Sequence, residues 1–343
     1  MQTTFSPLPD DFDLDEYEER FAAAIVREPE RFRGKWAYAG ERDDVPATLG
    51  VDASNGEADG AAMDSAPANP SDNGTDSAPV NPGIGSSCSW ADDAEATAGG
   101  YSEVRLDLGC GKGSFAVEMA RRLPDVLFVG IDIDRKCIAQ AAALACKGQV
   151  SNAVFSCTES PLEDIFEEHE LAAIHLNFPT PHPKGHDAHL RLTEAGHLDV
   201  YRNLLAEDGT LEFQTDSYPL FQYTLGQLEL AGFAVESKTD DLMDGNPNVP
   251  ISGYGRRAIE MGAKVMALSA RPCGGREPRG ESNVEPRQPN QSLYDYLPED
   301  LDAMTYLPPD MKRGIEAIRR TRRQSEEKHG STHLGDKGSM AES

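Results

Sequence analysis

The chain has 343 residues, of which 38% are hydrophobic, with 31 glycines, 23 prolines and a formal net charge of −27. That length fits one large domain with appendages or two domains, and the lean apolar content implies that part of the chain stays outside any core. No stretch approaches the roughly 20 apolar residues of a membrane span, and the acidic start MQTTFSPLPDDFDLDEYEER is unlike a signal peptide, so a cytoplasmic protein with no membrane partner is expected.

Residues 1–44 form a lead-in, in which EYEERFAAAIVREPERF clusters its apolar side chains at helical spacing. Residues 45–100 carry Ala, Ser, Asp, Asn, Gly and Pro without helical or strand period. They are read as a disordered acidic insertion that cannot offset chain entropy by burial. Nine acidic and no basic residues fall between positions 51 and 100, so a local segment carries much of the charge. The overall acidity therefore weighs against a nucleic-acid partner without excluding one.

From residue 101 short apolar runs alternate with helical patterns. VRLDL (104–108), VLFVGIDI (126–133), AVFSC (153–157), LAAIHLNF (171–178), TLEFQT (210–215) and AKVMALSA (263–270) read as strands. SFAVEMARRL (114–123), RKCIAQAAALACK (135–147), LTEAGHLDVYRNLLAE (192–207) and LFQYTLGQLELAG (220–232) read as helices between them. This alternation predicts an α/β fold with a doubly wound, mostly parallel sheet over 101–271. A C-terminal tail, 272–343, is Pro- and Gly-rich at first and ends in an amphipathic basic helix near 311–328.

LDLGCGKGS (106–114) sets Gly109, Gly111 and Gly113 between the first strand and a helix N-terminus. Such a turn lets backbone approach a ligand and offers free N–H groups. Asp132, nineteen residues beyond Gly113, ends the second strand, where a carboxylate can accept from ribose hydroxyls. Together with Asp107 these residues resemble the class I S-adenosylmethionine-dependent methyltransferases, Rossmann-like proteins with a seven-stranded sheet. The resemblance implies S-adenosylmethionine as cofactor and Glu159 as a residue facing its adenine.

NFPTPHPKGHD (177–187) follows the fourth strand, and in a doubly wound sheet the loops after strands one and four line one crevice. This stretch resembles the bacterial tRNA (guanine-N7)-methyltransferases, whose loop commonly reads N/F-F-x-D-P-W-x-K before a basic run and R-R-[LI]. Asn177, Phe178, Pro181, Lys184, Arg191, Leu192 and Thr193 stand in register. PERFRGKWAYAG (29–40), LEFQTDSYPLFQY (211–223) and SGYGRRAIEMGAKVMALSAR (252–271) resemble other family segments in the same order, so the likeness covers roughly 29–44 and 101–271. It implies transfer of a methyl group to N7 of a guanine in tRNA, with Asn177, Lys184, Asp216 and Ser252 at the substrate and Thr180 at the catalytic aspartate's position. The chain departs from the pattern at Thr180, at His182 for a tryptophan and at Gly255 for a glutamate; its basic run is reduced to Lys184 and Arg191. A diverged methyltransferase with another substrate and a non-catalytic S-adenosylmethionine-binding protein are the alternatives.

Lys312, Arg319 and Arg323 share a face of the terminal helix and could replace the eroded basic run against RNA phosphates, the alternative being a solvated charged helix end. His182, His186 and His189 read as polar loop histidines, with no metal expected, since no fourth ligand has sensible spacing. Cys88, Cys110, Cys137, Cys146, Cys157 and Cys273 form no CxxC pair, and Cys110 reads as a packing residue. Trp36 reads as a core anchor rather than a base-stacking platform. The oligomeric state, monomer or homodimer, is left open.

Overall fold

The structure is a computed structural model that describes residues 13–37, 100–245, 248–273 and 291–332, with the side chains of 326–332 excepted. All of these residues belong to one unit of the chain. Apart from Gly100, the insertion read at 45–100 lies outside the described residues.

Seven strands form one sheet: β1 (Glu103–Leu108), β2 (Val126–Asp132), β3 (Ala153–Cys157), β4 (Leu171–Asn177), β5 (Leu205–Thr215), β6 (Phe233–Thr239) and β7 (Met266–Pro272). Their order is β3-β2-β1-β4-β5-β7-β6, and only β7 runs antiparallel to its neighbours. The order reverses between β1 and β4, which opens a crevice at their carboxyl ends. β6 had no signal in the sequence because six of its seven residues face outward or lie half-buried, so no alternation of apolar side chains marks it.

Helices α2 (Ser114–Arg122) and α3 (Arg135–Lys147) cover one face. Their alanines, among them Ala116, Ala120, Ala141, Ala142 and Ala145, pack closely on Phe128 and Phe155. α4 (Leu162–Ile165), α5 (Ala195–Leu204) and α6 (Tyr218–Leu230) cover the other face around Ile174, Leu176 and Phe213. α7 (Gly253–Glu260) leads into β7, and α8 (Pro309–Thr332) ends the described chain.

The lead-in differs from the single helix expected of it. α1 (Leu14–Arg20), capped by Asp13, stops before two short 3-10 turns. Between them Ile25 lies alongside Phe155 as an extra parallel bridge, and the Val26 N–H donates to the Phe155 carbonyl. A strand partner for β3 overrides local helix propensity there. Trp36 is fully buried, and its indole N–H donates to the Ile165 carbonyl, as befits a core anchor. The Tyr101 N–H donates to the Ala37 carbonyl at 2.7 Å, which ties the end of the lead-in to the segment that enters β1.

Candidate functional site

The glycine loop at the end of β1 is built by its own backbone. Gly109, Gly111 and Gly113 all have φ between 53° and 72°, a region that side chains disfavour. At Gly113 any Cβ would also lie 2.6 Å from Ala141 and 2.8 Å from the Phe155 ring. At Gly111 a Cβ would meet nothing within 4 Å, which leaves room over the loop for a ligand.

Asp132 fixes this turn: one oxygen accepts from the Gly111 N–H at 2.8 Å and the other from the Asp134 N–H at 2.8 Å. Each oxygen keeps a second lone pair for a hydroxyl donor. Asp107 lies beneath the loop, buried, with Oδ1 accepting from Asn177 Nδ2 at 3.0 Å. Its Oδ2 is buried with no direct hydrogen bond, although the nearby Ala116 N–H favours the charged form. Burial pushes this carboxyl up to about 7, against the Asn177 hydrogen bond, with the charge of Asp132 adding to the rise. An orphaned carboxylate oxygen beside an open glycine cradle suits a ligand that brings positive charge. Burial and the two neighbouring aspartates push the Cys110 thiol well above its usual range, which fits a packing role. Glu159, two residues beyond the end of β3, is exposed.

The proline loop begins where the Phe178 N–H donates to the Gln214 carbonyl. Arg191 then holds it from inside. This side chain is fully buried, and its guanidinium donates to the carbonyls of Pro181, His182, Lys184 and Gln291 while lying 4.5 Å over the Tyr223 ring. Arg191 therefore has no face left for a phosphate, although its place in the sequence suggested one. Thr180 and Lys184 are exposed on the loop, so a side chain at either position faces outward.

α7 closes the crevice. Ser252 caps it by accepting from the Gly255 N–H, and the Gly253 N–H donates to Ser114 Oγ at the start of α2. The Phe178 ring sits against Tyr254, and a Cβ at Gly255 would lie 2.5 Å from that same ring. Phe178 thus takes the space that a side chain at Gly255 would need. Asp216, at the end of β5, is 8% exposed, and its Oδ2 accepts from the hydroxyls of Tyr254 at 3.1 Å and Tyr306 at 2.6 Å. Sequence reasoning missed Tyr306: TYLPPD carries no periodicity or motif, and only tertiary packing brings it to β5.

The tail behaves as part of this end of the molecule. The Leu293 N–H and the Ser292 hydroxyl donate to the Pro183 carbonyl, while Leu293, Met311 and Ile315 are fully buried. Of the basic helix face, Arg319 donates to the Leu301 and Met304 carbonyls and Arg323 pairs with Asp302. Lys312, Arg313 and Arg320 are exposed. Among the described residues no cluster of His, Cys, Asp or Glu could hold a metal, and no helix is long and apolar enough to cross a membrane.

A family model described as a putative methyltransferase matches residues 102–268. The chain is 33% identical over 176 residues to a tRNA (guanine-N(7)-)-methyltransferase of Brevibacillus brevis, covering 50% of this chain and 82% of that protein. It is 35% identical over 146 residues to the protein of the same name in Pediococcus pentosaceus, covering 42% of this chain and 69% of that one. Among solved structures, an antibiotic-related methyltransferase aligns with 55% of this chain and 95% of its own, at 20% identity and a TM-score of 0.41.

Proposed function

This chain belongs to the tRNA (guanine-N7)-methyltransferase family, and from that membership we propose that it methylates N7 of a guanine in tRNA, with S-adenosylmethionine as the donor. One observation carries the reading: Asn177, which opens the proline loop, donates its hydrogen bond to Asp107, which closes the strand beneath the glycine cradle. The loop that would present the base is thereby fastened to the carboxylate that would meet the donor.

S-adenosylmethionine, when bound, supplies a methyl group on a sulfonium sulfur. Asp107 offers its unpartnered oxygen to that ligand's positive charge, Asp132 its remaining lone pairs to ribose hydroxyls, and Gly111 the open space between them. Glu159 is the carboxylate assigned to the adenine side. Guanine N7 already carries its lone pair, so no proton has to leave before attack and no strong general base is required. The protein's task is alignment, with charge placed to favour a purine that turns positive. Asp216 is the buried carboxylate at the acceptor end, and Thr180 occupies the loop position where family members hold another. Lys184 on the loop and Lys312, Arg313 and Arg320 on α8 are the exposed cations that support contact with tRNA phosphates.

The test is direct. The full chain, incubated with unmodified tRNA and methyl-labelled S-adenosylmethionine, should place label in N7-methylguanosine on nuclease digestion. Label absent from every tRNA tried, with the donor bound, would instead favour the non-catalytic reading.

A further inference from the structure

We propose that Tyr306 is a positioning residue of the acceptor site: carried in by the C-terminal segment, its hydroxyl orients the Asp216 carboxylate toward the incoming base. The inference rests on the function proposed above.

Two phenols grip one carboxylate oxygen. Tyr254 comes from α7 and Tyr306 from the tail, and both donate to Asp216 Oδ2. Burial and the adjoining carboxylate hold both phenols above their ordinary range, so both remain protonated donors near neutral pH. Oδ1 has no partner among the described residues. Pinning one oxygen of a short side chain sets the direction of the other, leaving Oδ1 aimed and available to accept from N–H groups of a base.

The placement of Tyr306 is over-determined. Before it, the carbonyls of Leu301 and Met304 are held by the Arg319 guanidinium. Beyond it, the Met311 N–H donates to Pro308, and Met311 and Ile315 enter the core, with Met311 Sδ accepting from the Ser217 hydroxyl beside Asp216. These apolar anchors hold the tail on either side of Tyr306. The 2.6 Å hydrogen bond onto a nearly buried carboxylate also fixes where that charge points.

The site also ties its two ends through Tyr254. That residue touches Phe178 of the proline loop and follows Gly253, whose N–H reaches Ser114 at the cradle. Asp216 is thus held between a tyrosine coupled to the donor end and a tyrosine that lies beyond the family match at 102–268. With threonine at position 180 in place of a carboxylate, the tail supplies an alternative way of placing negative charge at the acceptor.

The experiment compares Tyr306→Phe, Tyr254→Phe and their double variant in the full chain, with Tyr294→Phe as a tail hydroxyl that makes no hydrogen bond to Asp216. S-adenosylmethionine affinity by calorimetry, thermal stability, and kcat and KM for tRNA are measured for each. Tyr306→Phe should lower kcat about tenfold while donor affinity stays within twofold and the chain remains cooperatively folded at the assay temperature. The double variant should lose less than the product of the single losses, because both hydroxyls serve one carboxylate, and Tyr294→Phe should match wild type. Wild-type kcat and KM in Tyr306→Phe, or a fall in stability and donor affinity parallel to that in activity, would overturn the proposal and leave the functional reading standing. A wild-type chain that methylates no tRNA overturns both.

Discussion

The glycine loop after β1 and the proline loop after β4 flank the same crevice, yet they are held by different means. The glycine loop is set by its own φ angles and by Asp132, about twenty residues away. The proline loop is set by Arg191 beneath it and by Gln291, Ser292 and Leu293, about a hundred residues further along the chain. The glycine loop can therefore be specified locally, while the shape of the proline loop depends on the whole fold.

The strongest way to break this contrast is at Arg191. Replacing it with lysine keeps the charge but loses the planar fork that serves several carbonyls at once. Arg191→Lys should cost about 3–5 kcal/mol of unfolding free energy, measured by urea titration. Its effect on the proline loop should appear as faster amide exchange at 178–193, with the glycine loop unchanged. Gly113→Ala is the counterpart at the donor end. A positive φ and a collision with Phe155 should together cost about 3 kcal/mol, and the variant should lose donor affinity in calorimetry.

Asp107 gives a subtler reading of the donor end. Its folded-state value of about 7 lies above that of an unfolded carboxyl, so its contribution to stability is complete below about pH 4 and is lost as pH rises through 7. A cationic ligand needs the ionised form, so the affinity for S-adenosylmethionine should rise about tenfold between pH 6 and pH 8, with proton release on binding at the lower pH. Asp107→Asn should flatten that dependence. The smallest effect is expected at the acceptor end. Because Thr180 is exposed, Thr180→Asp should leave the melting temperature unchanged and raise kcat for tRNA about three- to tenfold. Gly255 does not offer the same freedom, since Phe178 fills the space any side chain there would need.

These contrasts track what was legible beforehand. The triple glycine, Asp107 and Asp132 fall together in space where their spacing placed them, because a strand–turn–helix fixes its geometry over a few residues. Four of the six strands read from apolar runs appear within a residue of their expected bounds, and TLEFQT forms the end of the longer β5. β7 starts three residues later than its run, at Met266. β6 escaped notice because an edge strand with mostly outward-facing residues needs no hydrophobic signature. Arg191 looked like a surface cation, and nothing in RLTEAG says that its side chain turns inward to gather carbonyls. The terminal helix was visible by its period, but the destination of its charges was not: Arg319 and Arg323 are engaged by the segment 301–304 that folds back beside them.

The sequence by itself determined the strand–helix alternation, the glycine cradle and its two carboxylates, since hydrophobic period and backbone freedom act over short stretches of chain. Only the tertiary structure decided that the tail packs against the proline loop, that Tyr306 meets Asp216 and that Phe178 occupies the space over Gly255. Those contacts join residues far apart in the chain, and they form because burying Leu293, Met311 and Ile315 removes apolar surface from water wherever a matching face exists.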